Sequence, residues 1–173
     1  MDKQTLREQI REKRKTFDDQ RKKAAKNQVI QALSEDEHFL KADFVGIYHP
    51  GHGEMNLTEL IEIYPNKIFG YPKIVNDKIM YLQVDKNTVL KRTSFGIYEP
   101  QFGFDITDKL EVVIVPSLGL TESRYRLGYG KGYFDRFFKQ YANVYKIGVI
   151  YEGEIVSFEP SSNDVQMDDY FVG

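Results

Sequence analysis

Cysteine and tryptophan are absent from this chain of 173 residues, and histidine occurs only three times. The lack of cysteine excludes a disulfide scaffold, a thiol nucleophile and any Cys-ligated zinc or iron–sulfur site. No apolar run approaches the roughly 18 residues that cross a bilayer. The charged start, Met1-Asp2-Lys3-Gln4, lacks a secretory h-region. The expectation is a soluble cytoplasmic protein with no membrane partner. What is present is a globular balance, with 41% hydrophobic, 29% charged and 14% aromatic residues. The net charge of −2 hides an asymmetry: residues 1–28 hold ten Lys/Arg against five Asp/Glu, and the rest of the chain is acidic. A basic head on an acidic body suits an anionic partner near the N-terminus, or a plainly solvated helix.

Periodicity predicts two opening helices. Leu6, Ile10 and Phe17 mark an apolar stripe on the first, near Lys3 to Lys15, beside a cationic stripe of Lys3, Arg7, Arg11 and Arg14. Asp18 or Asp19 caps the second, which runs from about Gln20 to Leu33. Short apolar runs at 44–48, 67–71, 111–116 and 145–151 read as strands buried on both faces, the last of the second run being closed by Pro72. Helices are expected at 57–63 and 132–141, and an antiparallel addition at 79–84. Strand–helix–strand alternation points to one α/β domain, 1–173, with a mostly parallel sheet. The stretch 85–103 reads as turn-rich, and 161–173 as an acidic tail.

The chemistry is concentrated in Pro116 to Arg136, which leaves a buried strand and enters a helix, the place where open α/β sheets bind ligands. Gly128, Gly130 and Gly132 alternate, so backbone amides can approach an anion with no Cβ in the way. The helix start adds unpaired N–H groups, and Arg126 and Lys131 add full charges. Neither the Walker spacing nor the dinucleotide fingerprint is present. Phe134, Phe137, Phe138 and Tyr141 have the spacing of a core-facing stripe. Asp135, in the first helical turn next to a phosphate cradle, is placed to hold Mg²⁺. His49, His52 and Glu54 share one loop, but such histidines more often stay unliganded than bind zinc.

The run Arg-Leu-Gly-Tyr-Gly-Lys-Gly-Tyr-Phe-Asp-Arg (126–136), preceded by Val115-Pro116, resembles the signature of the 5-formyltetrahydrofolate cyclo-ligase family. Three further segments resemble the family in order: Lys3-x-x-x-Arg7, the Tyr48 to Glu54 loop, and Phe95-Gly96-Ile97-Tyr98-Glu99-Pro100, with Asn163-Asp164-x-x-x-Asp168 in the tail. The resemblance implies a three-layer α/β/α, CoA-transferase-like fold. It implies closure of 5-formyltetrahydrofolate, or its polyglutamates, to 5,10-methenyltetrahydrofolate with ATP as co-substrate and Mg²⁺ as cofactor. It assigns ATP contacts to Lys3, Gln4, Thr5, Leu6 and Arg7 and to Arg126, Leu127, Gly128, Tyr129, Gly130, Lys131, Gly132, Tyr133 and Phe134. Arg126, Lys131 and Tyr133 would be catalytic. His49, Glu54, Phe95 and Tyr129 to Tyr133 would touch the folate, and Asp135 with Asp168 would hold Mg²⁺. Thr121 and Arg124 stand where the family commonly has Asp and Gly, so the turn before Arg126 is expected to change shape. Two rivals remain: an RNA-binding module built on the basic helix, disfavoured by a pI near 6.0, and another phosphate-using enzyme on the same scaffold. No nucleic-acid partner is expected.

Overall fold

A computed structural model describes residues 1–94 and 96–173. In chain order the elements are α1 (Lys3–Arg14), α2 (Asp19–Leu33), α3 (Glu37–Lys41), β1 (Phe44–Gly46), α4 (Leu60–Ile63), β2 (Ile68–Val75), β3 (Lys78–Val84), β4 (Leu90–Arg92) and β5 (Tyr98–Pro100). A 3-10 turn (Thr107–Lys109) follows, then β6 (Val112–Pro116), β7 (Gly119–Leu120), β8 (Arg126–Leu127), α5 (Tyr133–Gln140), β9 (Tyr145–Ile150) and β10 (Asp169–Val172). Six strands form one sheet in the order β10-β9-β6-β1-β2-β3. All neighbours are parallel except the β2–β3 hairpin. The expected mostly parallel α/β sheet is therefore present.

Alternation along β6 divides the core between two faces. Val112 and Ile114 pack with Ala25, Val29 and Leu33 of α2 and Leu60 of α4. Val113 and Val115 pack on the opposite face with Phe137 and Phe138 of α5. Helices on both faces of a parallel sheet make three layers, which is why these strands read as continuous apolar runs rather than alternating ones. A third, smaller cluster joins Leu6 and Ile10 of α1 to Leu118 and Leu127 beside the β7–β8 ribbon. Burial at about 1.5–3 kcal/mol per side chain holds α1 on that ribbon.

The sheet also positions the site. From β1 the chain steps to β2 on one side, while β6 pairs with β1 on the other. The loops leaving β1 and β6 therefore part company, and a crevice opens between them at the carboxyl ends of the strands. No helix among the described residues is long and apolar enough to cross a membrane.

The structure departs from the sequence expectations in four places. The helix expected over 57–63 is reduced to Leu60–Ile63, because Asn56 Oδ1 accepts from the Thr58 N–H and hydroxyl and holds a turn there. β2 continues through Pro72 to Val75, since its β1 neighbour has already ended at Gly46 and the missing N–H is not needed on that side. Within 85–103, β4 and β5 form a hairpin. The tail's last residues form β10, which pairs with β9.

Candidate phosphate and folate site

Two of the three alternating glycines of the loop use conformations that other residues rarely adopt. Gly130 and Gly132 have φ of +104° and +71°, left-handed values open to glycine. Gly132 is the N-cap of α5 and supplies no side-chain acceptor, so the first-turn amides stay open to an anion. Arg7, reaching from α1, donates from Nε to the Gly128 carbonyl at 2.7 Å. Its guanidinium lies 3.5 Å from where a Gly130 Cβ would stand. Beneath the loop, the buried Arg126 donates from Nε to the Pro116 carbonyl at 3.0 Å and lies 4.9 Å over the Phe134 ring. Burial lowers the Arg126 pKa, opposed by the charges of Asp135, Tyr129 and Glu54. Lys131 is exposed at the loop's tip.

The turn before Arg126 keeps the backbone that a glycine would adopt: Arg124 has φ +71°. It is clamped by Nε donating to the Met167 carbonyl at 2.9 Å and by the Met167 N–H donating to its own carbonyl at 2.8 Å. Left-handed strain of about 1–2 kcal/mol and the guanidinium bond act in opposite directions. Arg124→Gly is therefore expected to melt within about 5 °C of the wild type, a shift on the order of 1 kcal/mol. A larger fall in a thermal melt would mean that the Met167 clamp outweighs the strain.

On the far side of Arg126 stands Glu54, in the loop after β1. Its Oε1 accepts from the Gly51 N–H at 2.6 Å and its Oε2 from the Tyr129 hydroxyl at 2.8 Å. Burial raises the Glu54 pKa, while those two donors and the charges of Arg14 and Arg126 pull it back. Arg14, Tyr48, Met55, Ser117 and Tyr151 close around Glu54 and leave no free volume among them. Arg14 belongs to the cationic stripe of α1, whose other members reach the surface. It is instead 5% exposed, forks onto Glu154 with two 2.8 Å bonds, and reaches the Ser117 carbonyl at 2.7 Å. Arg11, on the same stripe, is exposed and lies 5.7 Å over the Tyr129 ring. His49 lines a different cavity of about 410 Å³ with Tyr71, Thr58 and Leu90, and its ring meets those of Tyr71 and Tyr98.

The acidic pair differs from the expected one. Asp135 is half-buried at the start of α5. Burial raises its pKa, Arg126 lowers it, and Asp164 raises it again. Asp164 carries a 2.7 Å salt bridge from Lys3 Nζ. Burial alone would raise the Asp164 pKa, but the Lys3 and Ser161 bonds bring it below the ordinary value. Asp168, the expected partner, accepts from the Lys146 N–H at 2.8 Å and lies 3.5 Å from its Nζ. Lys146 is the second residue of β9, at the end of the sheet opposite the glycine loop. The acidic neighbour of Asp135 is therefore Asp164, four residues earlier in the same tail. Among the described residues no three His, Cys, Asp or Glu side chains gather as a metal cluster. Two carboxylates beside a phosphate cradle still fit Mg²⁺, which takes one or two carboxylates and fills its shell with phosphate oxygens and water.

Other expected residues are placed elsewhere. Tyr133 faces Asp77 on the β2–β3 hairpin, with Arg136 5.1 Å over its ring. The side chains of Leu6 and Leu127 are buried in the third cluster. Gln4 bonds Glu8 on the exposed face of α1, and the Thr5 N–H donates to the Asp2 cap. Phe95, expected to face the folate, lies outside the described residues.

Fold and site together place a glycine loop and a helix start at the switch point of an α/β sheet, with a buried carboxylate–tyrosine cluster alongside. The model of the 5-formyltetrahydrofolate cyclo-ligase family matches residues 1–173. A 5-formyltetrahydrofolate cyclo-ligase of Mycoplasma pneumoniae is 29% identical over 178 residues, covering 97% of this chain and 96% of that protein. The structure of a 5,10-methenyltetrahydrofolate synthetase from the same organism superposes with a TM-score of 0.77 at 25% identity over 98% of both chains. The NMR structure of the Aquifex aeolicus 5,10-methenyltetrahydrofolate synthetase does so with a TM-score of 0.86 at 29% identity, covering 99% of this chain and 90% of that one. The chain belongs to the 5-formyltetrahydrofolate cyclo-ligase family.

Proposed function

We propose that this chain converts 5-formyltetrahydrofolate to 5,10-methenyltetrahydrofolate, using ATP and Mg²⁺ and releasing ADP and phosphate. The formyl oxygen attacks the γ-phosphorus of ATP, and the bond to ADP breaks. The formyl carbon, now carrying a phosphate ester, is attacked by the neighbouring exocyclic nitrogen. The carbon–oxygen bond then breaks, the oxygen departs with phosphate, and the nitrogen releases its proton. Such a reaction asks little of acids and bases. It asks for in-line positioning and for charge opposite the moving phosphoryl group.

One observation carries this reading: Arg126 is held beneath the glycine loop, its Nε on the Pro116 carbonyl and its guanidinium 4.9 Å over Phe134 at the start of α5. A group there can serve the nucleotide and the folate together. Arg7, the open amides of α5 and Lys131 would bind the phosphates. Asp135 and Asp164 would hold Mg²⁺, displacing Lys3 from Asp164 towards the phosphates. Mg²⁺ would supply neutralisation of charge on the transferring phosphate. Glu54 would offer a carboxylate acceptor to the pterin N–H groups once the Tyr129 hydroxyl gives way, since its surroundings have no free volume in the unliganded chain. The His49 cavity, about 410 Å³, has the size of a small-molecule pocket and shares a loop with Glu54. Polyglutamate tails remain part of the proposed substrate class.

The test follows absorbance of the methenyl product from 5-formyltetrahydrofolate with purified protein, omitting ATP or Mg²⁺ in turn. Product is expected only in the complete mixture. No product there rejects the cyclo-ligase reading and leaves another phosphate-using reaction on this scaffold.

A further inference from the structure

The pocket around Glu54 is filled by the chain itself. The Tyr129 hydroxyl lies 2.8 Å from Glu54 Oε2, and the surrounding side chains leave no room for a water molecule. Burial first, and then the Glu54 charge, push the Tyr129 phenol pKa up, so the phenol keeps its proton and is the donor. Its O–H stands where a ligand N–H would have to stand. Part of the wall must therefore move before a folate can reach the carboxylate. Much of that wall is fixed. Arg14 is forked onto Glu154, and the Tyr48 hydroxyl donates to the Met55 carbonyl at 2.8 Å. Pro116, Val149 and Ile150 belong to strands of the central sheet. Tyr129 instead rides on the glycine loop. On one side of it the Gly128 carbonyl accepts from Arg7 Nε at 2.7 Å. On the other, Gly130 has φ +104° and the Arg7 guanidinium 3.5 Å from where its Cβ would stand. Glycine on both sides can absorb a backbone rotation that other residues resist. Arg7 is also the cation given to the phosphates. Phosphate oxygens carry charge that the Gly128 carbonyl lacks, so they compete for that guanidinium. The contact that nucleotide disturbs and the contact that blocks Glu54 are thus one residue apart in the chain.

We propose that Tyr129 gates the folate pocket and couples it to the nucleotide: in the empty chain its hydroxyl occupies Glu54 in place of folate, and phosphate bound at the glycine loop draws it off. Nucleotide then precedes folate in the productive order of binding. This rests on the cyclo-ligase reading for where the folate sits. Arg126 keeps its place on Pro116 and Phe134, and the movement is confined to the loop above it. A hydrogen bond to a charged acceptor that must be broken before a ligand enters lowers the apparent affinity by about tenfold.

The experiment measures calorimetric binding of 5-formyltetrahydrofolate, with and without β,γ-methylene-ATP and Mg²⁺, to the wild type and to Tyr129→Phe. The phenylalanine keeps the ring and removes the donor. In the wild type the ATP analogue is expected to tighten folate about tenfold, and folate to tighten the analogue by the same factor. In Tyr129→Phe, folate without nucleotide is expected to bind about tenfold more tightly than it does to the wild type, leaving the analogue about threefold at most to add. The sign of the change separates a gate from other roles. A hydroxyl that braced the loop, or that contacted the folate, would weaken binding when removed. Folate binding to the wild type that ignores the analogue overturns the proposal. So does a Tyr129→Phe chain that binds folate no more tightly. The methenyl assay keeps the two readings apart: product formed without coupling rejects the gate and leaves the cyclo-ligase reading standing. No product from the wild type rejects the cyclo-ligase reading. Folate binding then decides the gate by itself, coupling that is lost in Tyr129→Phe supporting it and the absence of coupling rejecting it.

Discussion

Arg126→Ala is expected to lower kcat/KM for methenyl formation by about 10²–10³-fold, the typical effect of removing one preorganised charge-stabilising donor. The side chain is 7% exposed and held by Pro116 and Phe134 before any ligand arrives. Little reorganisation is therefore needed as charge develops on the phosphoryl oxygens. In so enclosed a place its attraction for an anion is screened far less than at the surface. Arg126→Lys serves as the comparison. It keeps a charge but loses the planar fork and the Nε bond to Pro116, so it should recover only part of the rate. Both variants need circular dichroism melts beside the kinetics, because both also lose the buried bond to the Pro116 carbonyl. A folded Arg126→Ala within threefold of wild-type kcat/KM would remove Arg126 from the reacting centre.

The features that could be read from the sequence are those written locally. Val112 to Pro116 is apolar throughout and buried throughout, since a strand covered on both faces needs no polar side. The left-handed backbone at Gly130 and Gly132 is legible because it answers to residue type within its own loop. Arg14 was not readable. It lies on the same cationic stripe as Lys3 and Arg7, and what distinguishes it is a carboxylate 140 residues away. Its spacing of seven from Arg7 was the available signal, since it puts both on one side of α1. Asp164 and Asp168 likewise stand in one acidic motif, and local chemistry does not separate them. The reach of Lys3 across 161 residues does. β10 was too short, and too acidic at its start, to rise above the tail that contains it. The Pro72 expectation failed through topology, because the neighbour that would have needed its N–H ends too early.

Arg14→Ala is expected to destabilise the fold by about 3–5 kcal/mol, as removal of one partner from a buried ion pair does. Glu154 is 1% exposed. Its Oε2 also accepts from the Tyr151 N–H at 2.9 Å, so it cannot swing out to water without breaking the chain's path after β9. Burial disfavours charge on Arg14, yet the Glu154 bond and charge outweigh it and hold the guanidinium pKa above its ordinary value. At roughly 2–4 °C per kcal/mol for a chain of this size, the melting temperature should fall by about 10 °C. A fall below about 3 °C would reject the pair as a structural element. The double variant Arg14→Met with Glu154→Leu separates stability from function. With no charge left buried, much of the stability should return. Turnover should not return with it, because Arg14 also donates to the Ser117 carbonyl at 2.7 Å and the Gly53 carbonyl at 3.3 Å. Those bonds join the ends of β6 and the β1 loop to α1, the helix that carries Lys3 and Arg7 to the phosphates. A double variant with both native stability and wild-type turnover would show that α1 needs only its apolar face, Leu6 and Ile10, to keep its cations in register.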